Sequence, residues 1–177
     1  MKPRRGHWVG AEGAALDGAS DRPRRPAEPA PTPRALALRW LARRDYSRAE
    51  LAQRLRWRGT DADEIEATLD ALAEAGYLSD ARYAQAVVRQ KTGGYSRRAI
   101  TETLKAKGVA PDVAATAVDA GEIDDSEALV ALWKKRFGAK PQDEREHARQ
   151  VRFLQSRGFA LAAILKLLRD PPAAENS

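Results

Sequence analysis

From Arg34 to Asp170 apolar residues recur three and four positions apart, with polar residues between them. At 3.6 residues per turn, that spacing gathers the apolar positions into one stripe on each of a series of helices. Ala, Leu, Arg and Glu dominate and β-branched runs are few, which agrees with helix throughout. The pattern then repeats. Gly59, Gly108 and Gly158 lie 49 and 50 residues apart, and each follows a basic residue, Arg58, Lys107 or Arg157. At the same offsets Leu55 aligns with Leu104 and Leu154, and Leu69 with Val118 and Leu168. Ser47 aligns with Ser96, and Leu51 with Ile100. So many anchors on one period predict a repeated unit.

The helix ends can be read as well. Ser47 is placed to cap a helix, with Glu50 at N3 to complete a capping box. Tyr46 before the cap and Leu51 at N4 have the spacing of a hydrophobic staple, and Tyr95, Ser96 and Ile100 repeat it. Gly59 and Gly108 suit the left-handed turn that closes a helix. The third unit lacks the serine; its middle helix is expected over Gln142 to Arg157. Asp61 and Glu64 predict a further capping box ahead of the Ile65, Leu69, Leu72 stripe, and Pro111 suits a first helical turn. Opening helices are expected over Leu36 to Arg44, Asp80 to Lys91 and Asp125 to Phe137. The expected fold is therefore all-α: three tandem three-helix repeats, 34–79, 80–123 and 124–170, in an elongated, curved array. One such unit has a very small core, so neighbours must lean on one another.

Composition changes the picture at the ends. Residues 1–33 hold six of the ten prolines, and beyond alanine their apolar residues are Met1, Trp8, Val9 and Leu16. Such a segment cannot offset its ordering entropy and is expected to be a disordered arm, with 171–177 a flexible tail. The chain has no cysteine, so disulfides and thiolate metal sites are excluded. The longest uncharged apolar run, Phe159 to Leu165, is too short to span a bilayer, and no signal-peptide core precedes it. These features predict a cytoplasmic protein with no membrane partner, and nothing calls for an oligomer.

Candidate chemistry is sparse. His7 and His147 have no neighbours at metal or triad spacing, and Gly93-Gly94 lacks the Lys-Ser/Thr that follows a phosphate loop. No catalytic site and no cofactor are expected; the chain reads as a binding protein. Its net charge of +6 and pI near 9.8 favour a polyanionic partner. The candidate contacts are Arg39, Arg43, Arg44, Arg48, Arg56 and Trp57 in the first unit and Arg89, Arg97, Arg98 and Lys105 in the second. Arg145, Arg149 and Arg152 extend the set into the third. The third helix of unit one has the opposite sign, with Asp61, Asp63, Glu64, Glu66, Asp70 and Glu74. Arg58, Lys107 and Arg157 are accounted for by the dipoles of the helices they end. Arg56 and Lys105 are not: with Leu51, Leu55, Ile100 and Leu104 inward, both point away from the core, as does Arg98. Trp57 either joins that outward face, to stack on a base or a partner, or lies under the next helix.

The run YLSDARYAQAVVRQKTGGYSRRAITETLKAKGV, residues 77–109, resembles the RecX family of bacterial regulators of the RecA recombinase. YSRAELAQRLRWRG (46–59) and RQVRFLQSRGF (149–159) fit that family's other two repeats, so the resemblance spans about residues 34–170. It implies tandem three-helix repeats and no catalytic residues. It also implies binding within the groove of the RecA–single-stranded-DNA filament, restraining ATP hydrolysis, filament growth and strand exchange in recombinational repair and the SOS response. Partners would be the RecA filament and single-stranded DNA, met directly or within it. The long Pro/Arg-rich arm and the missing third serine depart from the family's pattern. Two rivals remain. A winged-helix regulator needs a β-wing after Leu78, where the sequence reads as helix. A helical protein-binding adaptor would lack the steep salt dependence of phosphate contacts.

Overall fold

The computed structural model describes residues 30–172. The disordered arm expected over 1–33 therefore lies, but for its last four residues, outside the described residues, as do 173–177 of the expected tail. Among the described residues there are nine helices and no strand. They are α1 (Pro33–Leu41), α2 (Arg48–Arg56), α3 (Ala62–Glu74), α4 (Asp80–Lys91), α5 (Arg97–Ala106), α6 (Pro111–Ala120), α7 (Asp125–Arg136), α8 (Glu144–Ser156) and α9 (Leu161–Arg169). Each successive three form one repeat. The position after Leu78 that a winged helix would give to its wing is occupied by α4.

Capping decides where these helices start. Ser47 accepts from the Glu50 N–H at 3.1 Å while the Glu50 carboxylate accepts from Ser47 N–H, the expected box. Ser96 caps α5 in the same way through Ala99 N–H. Three expectations shift. α1 opens at Pro33 and closes at Leu41, not over Leu36 to Arg44, because Thr32 supplies the cap and Pro33 a preformed first turn. Asp61 caps through the N–H of Asp63, two residues on, so the box expected with Glu64 gives way to a simple cap. In the third unit Asp143 stands in for the serine, three residues ahead of the aligned position, and α8 runs 13 residues against 9 and 10 for α2 and α5.

Each repeat has its own core. In the first, Leu51 and Leu55 of α2 meet Ile65, Leu69 and Leu72 of α3, with Tyr46 buried beside them as the staple requires. The second packs Tyr83, Val87 and Val88 of α4 against Ile100 and Leu104 of α5 and Ala114, Ala117 and Val118 of α6. The third gathers Leu129, Trp133, Leu154, Ile164 and Leu168. There the Trp133 Nε1 donates to Gln150 Oε1 at 2.8 Å, and Gln150 Nε2 donates to the Ala139 carbonyl, so the buried amide is satisfied at both ends.

The repeats join through the ends of their middle helices. The turn that closes α5 sits on the turn that opens α2. The Ser47 Oγ, fully buried, donates to the Lys107 carbonyl at 2.6 Å while still capping its own helix. The second joint resembles the first with the bond moved on by one residue: Ser96 Oγ donates to the Gly158 carbonyl at 2.8 Å, and Ser96 N–H, free of a capping glutamate, donates to the Arg157 carbonyl at 3.0 Å. Glycine is needed at both closing turns for two reasons. Gly108 and Gly158 have φ of +74° and +89°, and a Cβ at either would overlap that of Ala49 or Ala99. One further bond braces each joint: Asp80 accepts from Arg48 N–H at 2.7 Å and Asp125 from Arg97 N–H at 2.8 Å.

Gly59 offers the internal control, with φ +83° but open space where its Cβ would go. Gly59→Ala is expected to lose about 1–2 kcal/mol, the cost of the left-handed backbone. Gly108→Ala and Gly158→Ala should lose about 1–3 kcal/mol beyond that, from overpacking at the joint. Urea unfolding of the three variants checks the ranking.

Candidate binding surface at the repeat junctions

The candidate cations divide by what holds them. Arg48 and Arg97, at the start of α2 and α5, turn inward to the acidic third helix of their own repeat. Arg48 pairs with Glu66 at 2.5 Å and Asp70 at 2.8 Å, and Arg97 pairs with Asp119. The opposite signs of the middle and third helices are thus matched inside the first two units; α9 of the third carries Lys166 and Arg169 and no acid. Arg44 is held too: its guanidinium lies 3.6 Å from the centre of the Tyr46 ring and 3.4 Å from Glu50.

Glu50 is the centre of a clasp across the first junction. Its carboxylate accepts from Lys107 Nζ at 3.0 Å as well as from Arg44. Burial by itself would raise its pKa, but the hydrogen bonds from Lys107 and Arg44 outweigh that and hold it below the usual glutamate range. Burial, with the Glu50 carboxylate nearby, pushes the Tyr83 phenol up to about 12. At the second junction Arg157 plays the crossing role. It donates to the Tyr95 hydroxyl and lies over the rings of Tyr95 and Phe153 at 4.7 and 5.0 Å. Helix dipoles therefore do not suffice for Lys107 and Arg157, which tie one repeat to the previous one. The sequence offered no within-unit signal for this, since each partner lies about sixty residues away.

The remaining candidates are exposed. Arg56, Trp57, Arg98 and Lys105 all face solvent, and the Trp57 side chain is 75% exposed, so it does not lie under the next helix. Lys105 pairs with Glu102 one turn back at 3.2 Å. Arg39 is exposed in the last turn of α1, Arg43 just beyond it, and Arg89 on α4. Arg145, Arg149 and Arg152 are exposed on α8, with Arg149 at 5.9 Å from the centre of the Phe137 ring.

Three of the candidates come together at the first junction. Arg44, Trp57 and Lys105, joined by Arg54 and Lys107, line a groove of about 530 Å³ in which Glu50 is the single acid. Arg54 was not among the candidates; its guanidinium is held over Trp40 and Tyr46 at 5.4 and 5.0 Å. The matching groove at the second junction, about 620 Å³, places Arg98 beside Glu102 and Asp125. The two joints are alike in backbone, yet only the first has a strongly cationic groove. Arg39, Arg43, Arg89 and the α8 arginines line neither groove.

Comparison with known proteins places this architecture. Profiles described as RecX first, second and third three-helix domain match residues 34–72, 79–118 and 122–168. The regulatory protein RecX of Leptothrix cholodnii is 44% identical over 133 residues, covering 75% of this chain and 85% of that relative. That of Chromohalobacter salexigens is 47% identical over 130 residues, covering 72% and 85%. The crystal structure of RecX from Lactobacillus salivarius superposes with a TM-score of 0.60 at 21% identity, over 77% of this chain and 94% of that one, a likeness of fold.

The clasp has a pH dependence of fixed sign. A carboxylate whose folded pKa is depressed stabilises the fold above its unfolded pKa and loses that contribution as pH falls through the folded one. Wild type should therefore exceed Glu50→Gln in unfolding free energy at neutral pH. The gap should close as pH falls from the ordinary glutamate range through the depressed pKa of the folded carboxyl. Urea titrations of both proteins between about pH 7 and pH 3 check this; a gap independent of pH would remove the clasp from the stability of the joint.

Proposed function

The chain belongs to the RecX family of regulatory proteins, and on that premise we propose that it binds the RecA–single-stranded-DNA filament and restrains its ATP hydrolysis, growth and strand exchange. The reading is of a regulator that acts by occupancy, in the cytoplasm, during recombinational repair and the SOS response. It fits a chain in which no described helix is long and apolar enough to cross a membrane.

The observation that carries the proposal is the outward placement of Arg56 and Lys105 at equivalent points of two consecutive middle helices. Arg98 adds a third exposed cation at the start of α5. Arg48 and Arg97, at the starts of the same helices, are each paired with acids of their own repeat, which offsets their charge. The joint holds α2 and α5 in one register, so the outward cations keep a fixed separation. A fixed row of positive charge suits a phosphate backbone, where each neutralised phosphate releases counterions.

RecA-dependent ATP hydrolysis on single-stranded DNA, with the protein titrated in, is the direct test. Wild type should inhibit. The double variant Arg56→Glu, Lys105→Glu, which reverses two exposed charges without touching a core, should need roughly tenfold more protein or above for the same inhibition. Equal inhibition by the two proteins would sink the assigned surface. Inhibition that barely changes with salt would favour a partner recognised without phosphate contacts.

A further inference from the structure

Trp57 does nothing for the fold that smaller residues do not do in its place. Counting back from the closing glycines, the same position is Ala106 in the second repeat and Ser156 in the third. Both end their helices as well as Trp57 does. Its ring is the most exposed of the large apolar side chains among the described residues. It does not lie on an apolar face: it stands at the edge of the groove formed with Arg44, Arg54, Lys105 and Lys107. A large indole left in water beside four cations and a single acid is a costly arrangement for an idle surface. It combines a flat π-face with a track of positive charge, the pairing that single-stranded nucleic acid requires of a binding site.

We propose that the groove at the first repeat junction is a binding site for single-stranded nucleic acid in its own right, with an unpaired base stacked on Trp57 and the flanking phosphates met by Lys105 and Arg44. A single strand is favoured over a duplex because only an unstacked base can offer its face to the ring. It is favoured over an acidic peptide because a peptide needs the charge but not the open indole. Two features prepare the site before any ligand arrives. Arg44 and Arg54 are held at 3.6 and 5.0 Å from the centre of the Tyr46 ring, and Lys107 is pinned by Glu50. Lys105, exposed and paired only across the surface with Glu102, is the cation most easily recruited to a phosphate. Stacking on an aromatic face tolerates any base, so little sequence preference is expected. The second junction lacks the site, since Glu102 and Asp125 line its groove and Ser156 replaces the indole. This goes beyond the filament reading, because it requires no RecA.

The test is binding of the full chain to fluorescein-labelled oligothymidylate, without RecA, followed by anisotropy. Trp57→Ala should weaken binding by roughly five- to a hundredfold, and Trp57→Phe should recover most of the loss, since an aromatic face remains. On a strand of the same length made of abasic sugar-phosphate, wild type and Trp57→Ala should bind alike. Unchanged thermal unfolding confirms that the exposed side chain was not holding the fold. Equal affinity of wild type and Trp57→Ala for oligothymidylate would overturn the proposal. So would an equal loss on the abasic strand, or no binding by wild type at all. Inhibition of RecA is scored separately. If Trp57→Ala keeps wild-type affinity for oligothymidylate but no longer inhibits RecA, the indole contacts protein and the proposal is overturned. If wild type leaves RecA untouched yet binds oligothymidylate through Trp57, the proposal stands and the filament reading falls.

Discussion

Everything in this fold hangs on the seating of one helix's closing turn upon the opening turn of the helix one repeat earlier. Ser47 and Ser96 each have two duties: the oxygen accepts from the serine's own helix, and the hydroxyl proton goes to a carbonyl of the following repeat. Both are almost wholly shielded from water, so each bond forms where an unmet carbonyl would be expensive. An aspartate caps a helix equally well but has no proton to give across the joint. The need for glycine follows from the same closeness. Gly108 and Gly158 satisfy a left-handed turn and a gap with no room for a Cβ, while Gly59 satisfies only the first. The departure of the third repeat then has a cause. No fourth unit docks on α8 among the described residues, so its cap need only cap, and Asp143 does that.

The joint also reorganises the charge. A count of Lys and Arg suggests a protein covered in positive potential, but much of that charge is internal business. Arg48 and Arg97 are matched by third-helix acids of their own repeat, and Lys107 by Glu50 of the neighbouring one. Arg157 is taken up by the rings of Tyr95 and Phe153. Exposed pairs of this kind add little stability singly. Their effect is subtractive: they offset part of the cationic charge, while Arg56 and Arg98 remain exposed on the middle helices beside Arg39, Arg43, Arg89 and the α8 arginines. The acidic α3 and α6 act as a counterweight to α2 and α5.

Much of this was legible from spacing alone, because the constraints that build a helix are local. Ser47 with Glu50, Tyr46 with Leu51, and the recurring glycines lie within a few residues of what they cap or staple, and each was found. Some local detail still differed, such as the Asp61 cap and the α1 bounds, but the larger part of what escaped was contact between helices, above all across a junction. Lys107 and Arg157 read as dipole partners because their true contacts, Glu50 and Tyr95, lie in another repeat. The same blindness hid the groove, since Trp57 and Lys105 are brought to one place only by the docking of α5 on α2. Arg54 could be placed on a helix face but not over Trp40 and Tyr46, which lie outside its own helix. Sequence spacing also left Trp57 with two fates, buried or exposed. The structure leaves it exposed, at the rim of the groove between α2 and the end of α5.

The two joints therefore share a mechanism without sharing a surface. Close packing fixes the serine, the alanine and the glycine at both, so the backbone there cannot vary without loosening the array. The residues around the rim are under no such constraint. At the first joint the rim carries Arg44, Trp57 and Lys105; at the second it carries Arg98, Glu102 and Asp125. A repeat whose joints were alike in every respect would present the same field at each step and could slide along a uniform polyanion without preference. One cationic junction and one mixed junction break that symmetry. An elongated ligand lying across both would meet positive charge at the α2–α5 end and neutralised charge at the α5–α8 end, which gives the interaction a direction that the repeated fold by itself does not have.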